Sequence, residues 1–260
     1  MPPSTRLRLP TAPGRPLVLG HRGASADAPE NTLAAFRLAL AQGADGVELD
    51  AWRCASGEVV VFHDADARRL CGSPLRVTRA SLAELEALDV GAWKGERFRG
   101  ERIPRLEEAL EALGAAVVNV ELKSAGAPGD PRLAAAVARI LRSRRAVERA
   151  LVSSFDWTLL AAFRLVAPEV ATGLLFEAAS ARRLLVGPAA ALLRPQAYHP
   201  ELALVTEERA RRWAARGRPL VVWTVDAPAE VERLCSLAAA AVISNHPGRA
   251  REAVRRATGR

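Results

Sequence analysis

The sequence predicts an α/β protein, a (β/α)8 TIM barrel with a small insertion between the second strand and the second helix. Three observations predict it. Short apolar runs alternate with runs rich in Ala, Leu and Arg that carry apolar residues at i, i+3 and i+4, which implies βαβ units around a parallel sheet. Eight such pairs fit within 260 residues, the size of one barrel of this kind. Chemically capable residues stand at the C-terminal ends of the apolar runs, where such a barrel builds its site. Periodicity does not show closure, so a doubly wound open sheet is the structural rival.

The elements follow in order. Residues 1–15 are rich in Pro and Arg but have no apolar h-region, so they read as a flexible lead-in and not as a signal peptide. One barrel domain is expected over 16–260. Its first strand is PLVLG (16–20), and the helix over 31–42 follows, with Pro29 ending the loop and Asn31 or Thr32 able to cap. GVELDAW (46–52) is the second strand. The stretch 53–104 is too long for a plain connection. It holds an extra β-like run, EVVVFHD (58–64), a short helix over 81–88 with Glu84 three residues after Ser81, and the Gly-rich GAWKGERFRG. We read it as an insertion on the barrel rim.

Beyond it, helix 105–113 leads to strand AVVNVEL (116–122), helix 131–143 to ALVSSF (150–155), and helix 157–166 to ATGLLF (171–176). Helix 178–186 then precedes strand AAALL (189–193), helix 206–216 precedes PLVVWTV (219–225), and helix 228–235 precedes AAVISN (240–245). A last helix runs over 247–256. AAALL and AAVISN have the least strand-like patterning of the eight.

Composition narrows the class of function. Half of the residues are apolar and a quarter are charged, so a large core and a soluble, cytoplasmic protein are expected. No apolar run approaches the roughly 20 residues of a membrane helix, so stable membrane insertion is not expected. The net charge of +8 is carried almost wholly by Arg; Lys occurs only at Lys94 and Lys123. The arginines are spread along the helices, away from any aromatic-rich patch, so nucleic acid is not the expected partner. A basic field does draw anionic small molecules. Cys54, Cys71 and Cys235 are odd in number and lack a CxxC spacing, which fits reduced thiols.

The polar residues at the strand ends suggest the chemistry. His21 and Arg22 follow PLVLG, Glu48 and Asp50 end GVEL, His63 ends EVVVF, and Glu121 and Lys123 end AVVNVEL. Glu48 and Asp50 are two apart, so on a strand they face one side. With Glu121 they would repel unless a cation lies between them. Oxygen ligands suit a hard divalent ion such as Mg²⁺ or Ca²⁺, with Mn²⁺ a further option. His21 and His63 can give and take protons near neutral pH. Arg22 can hold a phosphate through two hydrogen bonds, and Lys123 supplies a point charge. Together these groups describe phosphoryl chemistry.

The stretches HRGASADAPENTLAAF, GVELDAW, VVFHD, TRASLAELEAL, ERIPRLEEAL, NVELK, SSF and VWTVD resemble, in order and spacing, the glycerophosphodiester phosphodiesterases over about 18–247. The resemblance implies a (β/α)8 barrel. It also implies metal-dependent hydrolysis of a glycerophosphodiester to glycerol 3-phosphate and an alcohol. His21 and His63 fall on the family's catalytic histidines, and Glu48, Asp50 and Glu121 on its metal ligands. Arg22 and Lys123 fall on its phosphate-contacting cations, and Trp223 on an aromatic residue near the glycerol. Glu30 and Asn31 are given a structural role. The partner implied is a small-molecule diester; a homodimer is left open.

The chain departs from the family pattern in the loop 65–72 after FHD, at Asp226 where Asn is frequent, and at SNHP after the last strand. His199 in QAYHP could line the entrance but reads first as a surface-loop histidine, and His246 reads as rim structure. The alternative within the same chemistry is an intracellular lysophospholipase D.

Overall fold

The computed structural model describes residue 9 and residues 15–126, 128–179 and 186–259. Apart from Leu9 and Arg15, the expected lead-in therefore lies outside the described residues. Leu9 packs against the apolar floor of the sheet, and Arg15 pairs with Asp45 at 2.7 Å.

Among the described residues, nine strands form one sheet. They are β1 (Leu17–His21), β2 (Gly46–Arg53), β3 (Val59–Val61), β4 (Val117–Leu122), β5 (Ala150–Ser154), β6 (Ala171–Phe176), β7 (Ala197–Pro200), β8 (Val221–Val222) and β9 (Ala241–Ser244). All but β3 pair in parallel, in the order β7-β6-β5-β4-β2-β1-β9-β8. Single bridges between Tyr198 and Leu220 and between Glu201 and Trp223 join the two ends. The result is a nearly closed eight-stranded parallel barrel, not an open sheet. Its strands are buried on both faces, as a barrel jacketed by helices requires.

The helices α1 (Leu33–Ala41), α4 (Leu106–Leu113), α5 (Pro131–Ser143), α6 (Trp157–Val166), α7 (Val186–Leu193), α8 (Glu207–Ala214), α9 (Pro228–Ser236) and α10 (Pro247–Thr258) lie between the barrel strands. Short side chains begin several of them. Thr32, Asp130, Asp156 and Thr206 each accept a backbone N–H of the first turn, satisfying donors that the helix leaves free. Leu19, Leu151, Ala171, Ala197, Val221 and Ala241 fill the barrel floor. That apolar plug turns the polar ends of the strands toward one mouth.

The insertion is a small layer with its own core. β3 runs antiparallel to β2, and Trp52, Phe62, Leu70, Val77, Leu85 and Ile103 pack together beneath it. It carries the short helices α2 (Arg68–Cys71) and α3 (Leu82–Glu86). Ser81 and Glu84 form the expected reciprocal cap on α3.

Two expectations are corrected. AAALL (189–193) is the C-terminal part of helix α7, and the seventh barrel strand is Ala197–Pro200. A run of Ala and Leu has no alternation to favour a strand, and both are strong helix formers. Its buried residues, Ala189 and Leu193, pack against Leu160 and Leu174. Of the expected helix over 178–186, residues 180–185 lie outside the described residues; 178 and 179 are non-helical, and 186 opens α7. The second correction is His199, which lies on β7 with 0% exposure and not in a surface loop.

Candidate active site

Register assembles the site. His21 pairs with Glu48 across β1 and β2, Asp50 with Glu121 across β2 and β4, and Glu121 with Ser153 across β4 and β5. The three carboxylates are thus brought together on adjacent inner strand ends. One oxygen from each of Glu48, Asp50 and Glu121 lies within 4.8 Å of the others, and all three residues are buried.

Two cations lie against them. Lys123 Nζ is 2.9 Å from Glu121 and 3.3 Å from Asp50. Arg22 Nε is 3.2 Å from Asp50, and its Nη1 donates to Glu30 at 2.9 Å. Both cations line the pocket, but their charged ends face carboxylates. Asn31 donates to Asp50 at 2.8 Å, so it holds a carboxylate while Thr32 alone caps α1. Both Arg22 and Asn31 take positive φ, a sharply turned loop that brings the Arg22 backbone N–H onto the Glu48 carbonyl at 2.9 Å.

The electrostatics are uneven. Burial raises Glu48 well above the usual carboxylate range, and Asp50 and Glu121 add to it. Burial, with Asp50, likewise raises Glu121, to about 7 against the pull of Lys123. Burial acts on Asp50 in the same direction, but Lys123 and Arg22 overcome it and hold Asp50 well below that range. Lys123 is raised because Asp50 and Glu121 outweigh its own burial. Three buried carboxylates facing two cations leave one negative charge unbalanced. An all-oxygen donor set, with Glu48 and Glu121 raised by burial and then by neighbouring carboxylates, fits a hard divalent cation.

The histidines are held by different partners. Asn245 Nδ2 donates to Asp226 at 2.7 Å, so Asn245 turns its Oδ1 toward His21 Nδ1, 2.7 Å away. That oxygen can only accept, so His21 carries its proton on Nδ1 and offers a lone pair at Nε2, 3.9 Å from Glu48. Burial, then Arg22, lowers His21 to about 4. His63 Nδ1 meets Asp64 Oδ1 at 2.7 Å, and Trp52 Nε1 donates to the His63 carbonyl at 3.2 Å. Burial lowers His63 as well, while Asp50 and the Asp64 hydrogen bond oppose the drop.

Sequence reasoning missed several of these supports. Asp226 and Asn245 stood out only as departures, because Asn245 meets His21 across 224 residues and Asp226 acts through Asn245. Arg69 spans two loops, with Nε on Asp64 at 2.6 Å and Nη2 on Glu30 at 2.6 Å. Asn119 was legible in principle, being two residues before Glu121 on an inward strand face.

The pocket has a volume of about 140 Å³, and its lining includes His21, Arg22, Glu48, His63, Glu121, Lys123 and Trp223. Only Asp50 among the expected site residues lies behind the lining. Trp223 stands edge-on to Phe155 at 5.4 Å and donates from Nε1 to the His199 carbonyl at 2.9 Å.

The profile of the glycerophosphoryl diester phosphodiesterase family matches residues 21–249. The chain belongs to this family. As a glycerophosphoryl diester phosphodiesterase family member, it is a phosphoric diester hydrolase. It is 35% identical over 235 residues to a glycerophosphodiester phosphodiesterase of Caldanaerobacter subterraneus, covering 89% of this chain and 94% of that one. An Oleispira antarctica phosphodiesterase, solved with the product sn-glycerol-3-phosphate, superposes with a TM-score of 0.84 at 30% identity, over 92% of this chain and 97% of that one. The glycerophosphodiester phosphodiesterase of Thermotoga maritima gives 0.72 at 28% identity, over 90% and 96%.

Proposed function

We propose that this chain hydrolyses glycerophosphodiesters to glycerol 3-phosphate and an alcohol, with Glu48, Asp50 and Glu121 holding a divalent cation. The observation that carries the reading is one pocket lined by Glu48, Glu121, His21, His63, Arg22 and Lys123, with the buried Asp50 converging on the two glutamates from behind that lining. A divalent cation held there would supply charge stabilisation to phosphoryl oxygens. Arg22 and Lys123 would bind the remaining phosphate oxygens and orient the diester.

His21 serves as base in this reading. Its lowered basicity keeps Nε2 unprotonated at neutral pH, ready to take the proton of the glycerol 2-hydroxyl. That oxygen attacks phosphorus as the bond to the alcohol breaks. His63 gives the departing alcohol its proton; Asp64 and Asp50 stabilise its charged form. Water then opens the cyclic phosphate, with His63 taking a proton from it and His21 returning one to the 2-oxygen. Trp223 would stand against the glycerol carbons.

The free thiols at Cys54, Cys71 and Cys235 are consistent with work in the cytoplasm. Among the described residues no helix is long and apolar enough to cross a membrane. The test offers glycerophosphocholine, glycerophosphoethanolamine, glycerophosphoglycerol and lysophosphatidylcholine with Mg²⁺, Mn²⁺ or Ca²⁺, and with EDTA. Hydrolysis of the glycerophosphodiesters, lost with EDTA, is expected. No hydrolysis of any diester with any metal would sink the reading.

A further inference from the structure

The wall of the pocket carries polar groups that the proton transfers above do not use. His199 on β7 is wholly buried and lines the pocket, yet neither ring nitrogen has a hydrogen-bond partner among the described residues. Asn119 Oδ1 is likewise buried and unpartnered, while the Asn119 amide donates to Ser153 at 2.7 Å. Both residues also line the pocket. Buried polar groups in folded proteins nearly always find partners. Three such atoms in one cavity therefore point to a polar guest.

The imidazole is given room on purpose. A Cβ added at Gly173, on the neighbouring strand β6, would lie 2.2 Å from His199 Nε2. The ring occupies the space that a side chain there would fill. Burial lowers His199 to about 3, so the ring is neutral and offers one donor and one acceptor. Asn119 adds an acceptor. A hydroxyl, which both donates and accepts, complements such a pair; an ester oxygen, which only accepts, does not.

Phe155, Leu175 and Trp223 give the pocket an apolar side for the carbons of such a guest.

We propose that His199 is a specificity-determining residue that hydrogen-bonds the terminal hydroxyl of a glycerol unit in this pocket, so that diesters with that hydroxyl free are taken and those with it acylated or missing are rejected. The inference rests on the phosphodiesterase reading above and names the substrate class within it.

Calorimetry on Mg²⁺-loaded protein tests it without turnover, comparing sn-glycerol 3-phosphate with 2-hydroxypropyl phosphate, which lacks only the terminal hydroxyl. The intact protein should prefer glycerol 3-phosphate by at least about tenfold. His199→Phe should bring the ratio to about one with inorganic phosphate affinity and melting temperature kept. Gly173→Ala, which displaces the ring without changing its chemistry, should do the same; His199→Phe decides if Gly173→Ala does not fold. No preference in the intact protein, or a preference that survives in His199→Phe, overturns the role. Hydrolysis of glycerophosphocholine without that preference removes His199 and leaves the phosphodiesterase reading standing. The preference without hydrolysis of any diester does the reverse.

Discussion

His21 meets the carboxylate of Asp226 only through the amide of Asn245. The amide fixes the imidazole tautomer and lends no negative charge to it, leaving burial to set the proton affinity at about 4. A base must be unprotonated to act, so the acid limb of kcat/KM of the metal-loaded enzyme should lie near 4 and not near 6.5. Asn245→Asp puts a carboxylate against Nδ1, favours the imidazolium, and should move that acid limb upward by about one unit or more. A pH–rate profile in which both proteins share one limb would remove His21 as the base. The acids, the histidines and both cations were legible in the sequence because each lies in or just after an apolar β-like run. Asp226, Asn245 and Arg69 were not, because each acts through a contact with a residue far along the chain or in another loop.

At the scale of elements, Arg69 on α2 joins the loop after β1 to the loop after β3 by pairing with Glu30 and Asp64. The first of those loops follows directly on His21, the second contains His63, and Glu30 and Asp64 in turn hold Arg22 and His63. Arg69 is half-exposed, so the pairs should add little to stability. Their effect should fall on geometry: Arg69→Ala is expected to lower kcat about tenfold with little change in Tm. Lysine cannot reproduce a forked contact to two carboxylates, so Arg69→Lys should recover only a small part. Full activity in both variants would show that the loops hold themselves. The elements that sequence patterning placed best are those whose apolar residues alternate or recur. Where patterning was silent, at AAALL, the run expected as a strand is helix, and the strand lies four residues beyond it. The true strand, AYHP, is four residues long and shows no alternation because its histidine is buried.

For the molecule as a whole, charge ties stability to its surroundings. A divalent cation that binds only the folded chain should add about 2.7 kcal/mol of stability at one hundred times its Kd, and so raise Tm. Asp50→Asn should abolish that shift. Because Glu121 holds its proton up to about 7, cation affinity should weaken as pH falls through that value, visible in calorimetry as proton release on binding. Acid acts on the fold through His199. Its proton affinity is about 3 when folded against an ordinary 6.5, so the unfolded chain binds more protons between those values. Stability is therefore complete above 6.5 and falls with pH below it, by up to about 1.4 kcal/mol per unit. Denaturant titrations from neutral to mildly acid pH should show a shallower decline in His199→Phe. Equal slopes would mean that the ring is solvated within the folded protein.

The pairing of β1 with β9 also sets an order of completion. Both histidines, all three carboxylates and both cations have been made once the chain reaches Lys123. The amide that holds His21 belongs to residue 245, and β9 is the strand that lies beside β1. A nascent chain therefore carries its reactive groups for half of its synthesis without the frame that aims them. Fragments ending before β9 should neither cleave diesters nor gain protection from a divalent cation, and competence should arrive in one step when the last strand docks.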